Sequence, residues 1–153
     1  MRITQFTDYS LRVLLYLGTK NDIATVAEIT RAFKISNNHL VKVVHRLSRE
    51  GYVLSQRGKN GGIRLALSPE QIRIGDFVAK FEPMDLLECF NENTNTCPIR
   101  GACQLERSLF EAQKDFIHSL NRFTLAAYLE PGPMKSARMK LLCLGEPAIK
   151  KPA

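Results

Sequence analysis

Apolar positions over residues 1–50 recur at helical spacing in three separate bursts. The first spans 7–17, where Leu11, Leu14 and Leu15 share a face, Phe6 precedes it and Asp8 sits in the first turn, where a negative charge suits the helix dipole. The second opens on Thr25-Val26-Ala27-Glu28, a capping box, and turns Ile29 and Phe33 inward. The third begins at Ser36, which can cap it, carries Leu40, Val43, Val44 and Leu47 on its inner face and stops at Gly51. Only Lys34-Ile35-Ser36 links the last two, so they form a helix-turn-helix whose second helix is polar outward.

The period then changes. Residues 52–56 and 63–67 read as strands flanking Arg57-Gly58-Lys59-Asn60-Gly61-Gly62. This hairpin is the wing of a winged helix-turn-helix. It is no phosphate-binding P-loop, because Gly-Lys is not followed by Ser or Thr and no helix starts there. A short helix follows over 74–81, between Ser68-Pro69 and Pro83. From Glu82 to Ala102 periodicity fails in an Asn- and Thr-rich loop too long for an ordinary connection. Residues 104–129 form the longest amphipathic run, with Leu105, Leu109, Ala112, Phe116, Leu120, Phe123 and Ala127 on one stripe. Such a helix packs on a partner subunit or on its own core. Pro131-Gly132-Pro133 breaks it. The predicted fold is mainly α with a small β wing. A winged helix-turn-helix covers 1–81, a cysteine-bearing loop 82–103, a dimerisation helix 104–130 and a flexible basic tail 131–153.

Charge adds a direction to this layout. The 153 residues hold 22 Lys and Arg against 15 Asp and Glu, net +7, but unevenly. Residues 1–69 carry 11 against 4, residues 70–130 carry 6 against 10, and residues 131–153 carry 5 against 1. A basic head and an acidic middle suit a polyanion met by the head alone, most often nucleic acid. No apolar run reaches about 18 residues, so no membrane-spanning helix is expected. The opening residues, with Asp8 early and no continuous apolar stretch, do not read as a signal peptide, so a cytoplasmic protein is expected. In a reducing compartment four cysteines point to metal ligation or reactive thiols before disulfides.

Two sets of residues carry candidate chemistry. Asn37, Asn38, His39 and Lys42, at the start of the third helix, are types that bond base edges or phosphates in a major groove. Arg46 and Arg49 lie further along and suit phosphates. Arg57, Lys59 and Arg64 cluster on the wing, and Arg57 at its tip suits a narrow minor groove. The second set is Cys89, Cys97 and Cys103, in or at the end of the long loop. Their spacing lacks the CxxC pairs of a structural zinc site and leaves one tetrahedral position unfilled. Wide spacing favours a larger object, an iron–sulfur cluster, with zinc still open. Cys143 stands apart in the tail. His39, His45 and His118 are scattered, and no nucleophile with a base or pair of acids in a cleft is suggested, so the chain is not expected to be an enzyme.

Several of these motifs occur together in one family. Phe6-Thr7-Asp8-Tyr9, Asn38-His39-Leu40-Val41-Lys42, the wing from Arg57 to Arg64, Ile72-Arg73-Ile74-Gly75-Asp76 and the cysteine trio lie within residues 1 to about 130. Over that length the chain resembles the NsrR/IscR-type iron–sulfur transcription regulators, and among them the nitric-oxide-sensing repressors. The resemblance implies a homodimer on a palindromic operator in double-stranded DNA, with one cluster per subunit, [4Fe-4S] rather than [2Fe-2S], and DNA release on nitrosylation. Members of the IscR type use a His three residues after the last Cys of the trio; that position here is Glu106, so this ligand set is absent. In [4Fe-4S] members an Asp from the first helix of the other subunit completes the set, and the matching residue is Asp8. A dipole role for Asp8 with an exogenous fourth ligand stays open. So do a [2Fe-2S] regulator of redox state or iron–sulfur supply and a zinc-stabilised winged-helix protein.

Overall fold

Thr4, Thr25 and Ser36 each accept a hydrogen bond from the backbone N–H three residues on, and each starts a helix. The computed structural model describes residues 3–58, 61–91, 93–130 and 135–146. Helices α1 (Gln5–Lys20), α2 (Val26–Phe33) and α3 (Asn37–Arg49) form the head. The capping box is complete: the Glu28 carboxylate accepts from the Thr25 N–H while the Thr25 hydroxyl accepts from Glu28. Asn21 and Lys34 stop α1 and α2 in the left-handed region, at φ 52 and 54.

The wing is an antiparallel pair, β1 (Val53–Gln56) and β2 (Gly62–Leu65), with Leu54 opposite Arg64. It is sewn to the head through Ala24 and Ile63, which exchange both backbone hydrogen bonds at 2.9 and 2.8 Å. Gly62 permits this approach, since a Cβ there would run into Ile23 and the Ala24 carbonyl. Helix α4 (Ile74–Phe81) closes the core, where Leu14, Leu17, Ile29, Leu40, Leu47, Val53, Ile72 and Phe77 are all but fully buried.

Helix α5 (Gln104–Leu120) crosses α4 at Gly75, where a Cβ would strike the Ile117 carbonyl and the Asn121 side chain. Arg73, at the N-cap of α4, makes no side-chain cap, and Asn121 substitutes for it. Its Oδ1 accepts from the Asp76 N–H at 2.8 Å and its Nδ2 donates to Asp76 Oδ1 at 2.6 Å. The run from Ile72 to Asp76 is therefore an α4–α5 joint.

The structure differs from the sequence expectation at two places. The helix expected to continue to 129 ends at Leu120, because the chain turns so that Asn121 meets Asp76 and Leu125 enters the head core. Leu125 follows with its N–H on the Ile72 carbonyl at 2.8 Å, and Leu125–Tyr128 is a single 3-10 turn. The second is α6 (Lys135–Gly145), inside the stretch read as a flexible tail. It packs on α1 and α2 through Leu141 and Leu142, and the Arg31 guanidinium donates twice to the Gly145 carbonyl, at 3.1 and 2.7 Å. Residues 131–134 and 147–153 of that stretch lie outside the described residues.

One buttress of the head is pH-sensitive. Burial pushes the Glu28 carboxyl up, but the Lys20 ammonium at 2.7 Å and the Thr25 N–H and hydroxyl outweigh it and hold its pKa below the ordinary 4.5. A carboxyl depressed in the folded state stabilises the fold above its unfolded pKa and loses that contribution as pH falls through the folded value. Stability should therefore drop from about pH 5 downward. Urea midpoints measured over pH 3–7 should flatten in Glu28→Gln, and an unchanged profile would remove Glu28 from the acid response.

Candidate functional site

Leu40, Val43, Val44 and Leu47 of α3 are buried, so the opposite side of this helix faces outward. Its exposed row is Asn38, Val41, Lys42 and His45, spaced i, i+3, i+4 and i+7, with Asn37 and His39 exposed in the first turn. The His39 ring leans back toward Tyr9 of α1, with centroids 6.4 Å apart. Arg46 is exposed, yet its guanidinium lies 5.1 Å from the ring centres of both Phe6 and Phe81. It thus serves packing as well as any phosphate. Arg57 beside the wing tip and Arg64 on β2 are exposed; Lys59 lies outside the described residues. Sequence reading left out Val41 and His45, although the helical spacing from Asn38 and Lys42 points to both.

The thiol loop is ordered by its own polar side chains. Asn91 Oδ1 accepts from the Asn93 N–H, Asn95 Oδ1 from the Cys97 N–H, and Glu88 Oε1 from both the N–H and the hydroxyl of Thr96. Gln113, the buried residue of α5, donates its side-chain amide to the Met84 carbonyl and moors the start of the loop. Phe90 packs edge-on against Phe110 of α5 at 6.0 Å. Cys89, Cys97 and Cys103 are free and half-buried, and Cys103 is the N-cap of α5, where unpaired N–H groups favour a negative partner.

Burial raises the Cys89 thiol above its usual range, and the charges of Glu106, Cys97 and Cys103 push the same way. The trio and Glu106 therefore share one electrostatic neighbourhood, and Glu106 Oε2 also accepts from the Gly101 N–H at 3.1 Å. An open groove of about 500 Å³ runs beside it, lined by Cys89, Phe90, Glu106, Phe110 and Gln113. Among the described residues, no three His, Cys, Asp or Glu side chains stand close enough together to hold a metal ion as placed. In kind the donors fit an iron–sulfur cluster: three half-buried thiols, no disulfide among them, on one loop.

Asp8 is elsewhere. Its two carboxylate oxygens take Nε and Nη2 of Arg12 at 2.9 and 2.8 Å, beside a separate groove lined by Tyr9, Phe33 and Lys34. Within one chain the structure does not bring Asp8 to the trio. Cys143 is exposed on α6, and no described helix is long and apolar enough to cross a membrane.

Residues 3–131 match the Rrf2 family, described as iron-dependent transcriptional regulators. The chain belongs to the Rrf2 family. Solved structures agree on the fold. IscR of T. potens superposes with a TM-score of 0.65 at 21% identity, covering 84% of this chain and 86% of that one. CymR of B. subtilis, titled the global cysteine regulator, gives 0.67 at 22%, covering 84% and 96%. CymR of Staphylococcus aureus gives 0.66 at 20%, covering 84% and 98%. As an Rrf2 protein the chain is a DNA-binding transcription regulator and not an enzyme. Its two-stranded sheet on a helical body is the Rrf2 winged helix.

Proposed function

We propose that this Rrf2 protein is a repressor of the NsrR type: a homodimer that binds a palindromic operator under the control of an iron–sulfur cluster, with nitric oxide as its signal. The observation that carries the proposal is the presence of three free, half-buried thiols on one loop in a chain of an iron-dependent family. When bound, the cluster, [4Fe-4S] in preference to [2Fe-2S], supplies iron that nitric oxide can attack. The thiols of Cys89, Cys97 and Cys103 would hold it as thiolates, so loading would release protons, and burial of Cys89 opposes that release at its thiol.

Asp8 of the partner subunit is the proposed fourth donor. Arg12 holds that carboxylate when it is free, so bound and free Asp8 differ by one ion pair within α1. Tyr9, the next residue, touches His39 at the start of α3, which gives the exchange a short route to the DNA-facing helix. Helix α5 supports the dimer, because Leu105 is 62% and Phe110 47% exposed in the single chain. Dimerisation would set the two α3 helices about one DNA turn, roughly 34 Å, apart. The basic excess of residues 1–69 would meet phosphates and make binding fall steeply with salt.

The test is anaerobic reconstitution, with iron, sulfide and zinc measured per chain, then titration with nitric oxide while cluster absorbance and DNA binding are followed together. Iron and sulfide present, with DNA released in step with cluster loss, is the expected result. DNA binding that ignores cluster loss would sink the sensing role, and zinc without sulfide would sink the cluster. A [2Fe-2S] spectrum with indifference to nitric oxide would move the signal to redox state or iron–sulfur supply.

A further inference from the structure

The outward row of α3 is polar except at its centre. Val41 is 48% exposed, between Asn38 one turn before it and Lys42 and His45 beside and after it. The core does not need it there, since Leu40, Val43, Val44 and Leu47 already fill the inner face. Helix propensity does not need it either, because a β-branched residue is a weaker helix former than the Ala, Gln or Lys a solvated position admits. A branched apolar side chain kept in the middle of a row of hydrogen-bonding and cationic groups calls for an apolar partner set within a polar, anionic one. The major groove of DNA offers one such feature, the C5 methyl of thymine, surrounded by base-edge acceptors and donors and walled by phosphates.

We propose that Val41 reads a thymine methyl in the bound DNA. The inference rests on α3 being the groove-facing helix of the proposed function. Asn38, on the same row, has the side chain that pairs with adenine N6 and N7, so a thymine read by Val41 would lie beside an A·T pair read by Asn38. Lys42 and His45 flank Val41 with groups suited to phosphate or guanine acceptors. The discrimination at this position would be hydrophobic and modest in size, in contrast to the hydrogen-bonded positions on either side.

The experiment replaces one thymine at a time by deoxyuridine, which removes the methyl and leaves every hydrogen bond in place. The anaerobically purified protein, with its bound metal, first selects its DNA from a random-sequence pool, and the uracil scan is run on the selected sequence. One position, or a symmetry-related pair, should weaken binding about fourfold per methyl lost, the factor for one buried methyl-sized group. Val41→Ala should bind the thymine DNA weaker by a similar factor and show no further loss with uracil there. Asn38→Ala should keep its uracil penalty. Val41 is exposed, so Val41→Ala should unfold no earlier than the parent chain. A flat uracil scan with the parent protein, or a penalty that persists in Val41→Ala, overturns the proposal while leaving DNA binding intact. A protein that selects no sequence from the pool overturns the DNA-facing role of α3 and the Val41 reading together.

Discussion

Cys97→Ser protein purified without oxygen is expected to lose its metal, while Cys143→Ser protein keeps it. Serine preserves shape but offers a weakly acidic hydroxyl where a soft metal centre wants a thiolate. Contacts one shell further out are worth about 10–100-fold in metal affinity, so loss of a direct ligand should cost more than about a hundredfold. Cys89→Ser and Cys103→Ser should behave alike, because all three thiols lie half-buried in one electrostatic neighbourhood. The checks are iron and sulfide per chain, the visible spectrum and the affinity for the selected DNA. The fold should survive in each, since none of the three belongs to the buried core. The Asn91 and Asn95 turns that order the loop are also independent of the sulfur atoms. If Cys97→Ser retained a full complement of metal, the trio would not be the site.

The placing of three cysteines on one loop, with Cys143 apart from them, was legible in the sequence, and so was most of the head. Local chemistry explains why. Thr25 with Glu28, Ser36 ahead of His39, and Gly51 after α3 are signals whose partners lie within a few residues, and each works as its pattern predicts. What was missed depends on partners far along the chain. The apolar stripe of α5 continues on paper through Phe123 and Ala127, but Asn121 is drawn out of the helix by Asp76, 45 residues away, and Leu125 by Ile72. Helix α6 follows a Pro-Gly-Pro stop and has a weak pattern of its own. Its fixing points, Leu141 and Leu142 against the core and Arg31 on the Gly145 carbonyl, exist only once α1 and α2 are in place. The Asn and Thr content that made residues 82–102 look structureless is what builds their turns. Arg46 was read by its charge, and the aromatic faces of Phe6 and Phe81 that hold it come from two other helices.

Those faces belong to the part of the head where a single substitution should do the most damage. Phe77 is completely buried, its ring edge-on to Tyr52 at 5.0 Å and tilted against Phe81 at 4.6 Å. Phe81 stacks in turn on Phe6 at 5.9 Å, and Arg46 of α3 covers both. One aromatic chain thus joins α4, the residue leading into the wing, the first turn of α1 and, through Arg46, helix α3, the proposed DNA-facing helix. Phe77→Ala removes its middle and leaves a cavity that the Tyr52 ring, held against Phe81, cannot readily collapse into. The expected loss is about 3–5 kcal/mol, from a total that for a domain of this size is about 5–15 kcal/mol. Thermal unfolding at a fixed protein concentration should move down by about 6–20 °C. Phe77→Leu, which keeps most of the volume, should lose less than about 1.5–2 kcal/mol. Arg46→Ala provides the functional half of the test, since it leaves the ring-on-ring contacts in place and removes only the guanidinium over them. It should weaken DNA binding with a small change in unfolding temperature, whereas Phe77→Ala should lower both. If Phe77→Ala unfolded with the parent protein, the aromatic chain would not be what fixes α3 to α4, and the orientation of α3 would have to rest on its aliphatic contacts alone.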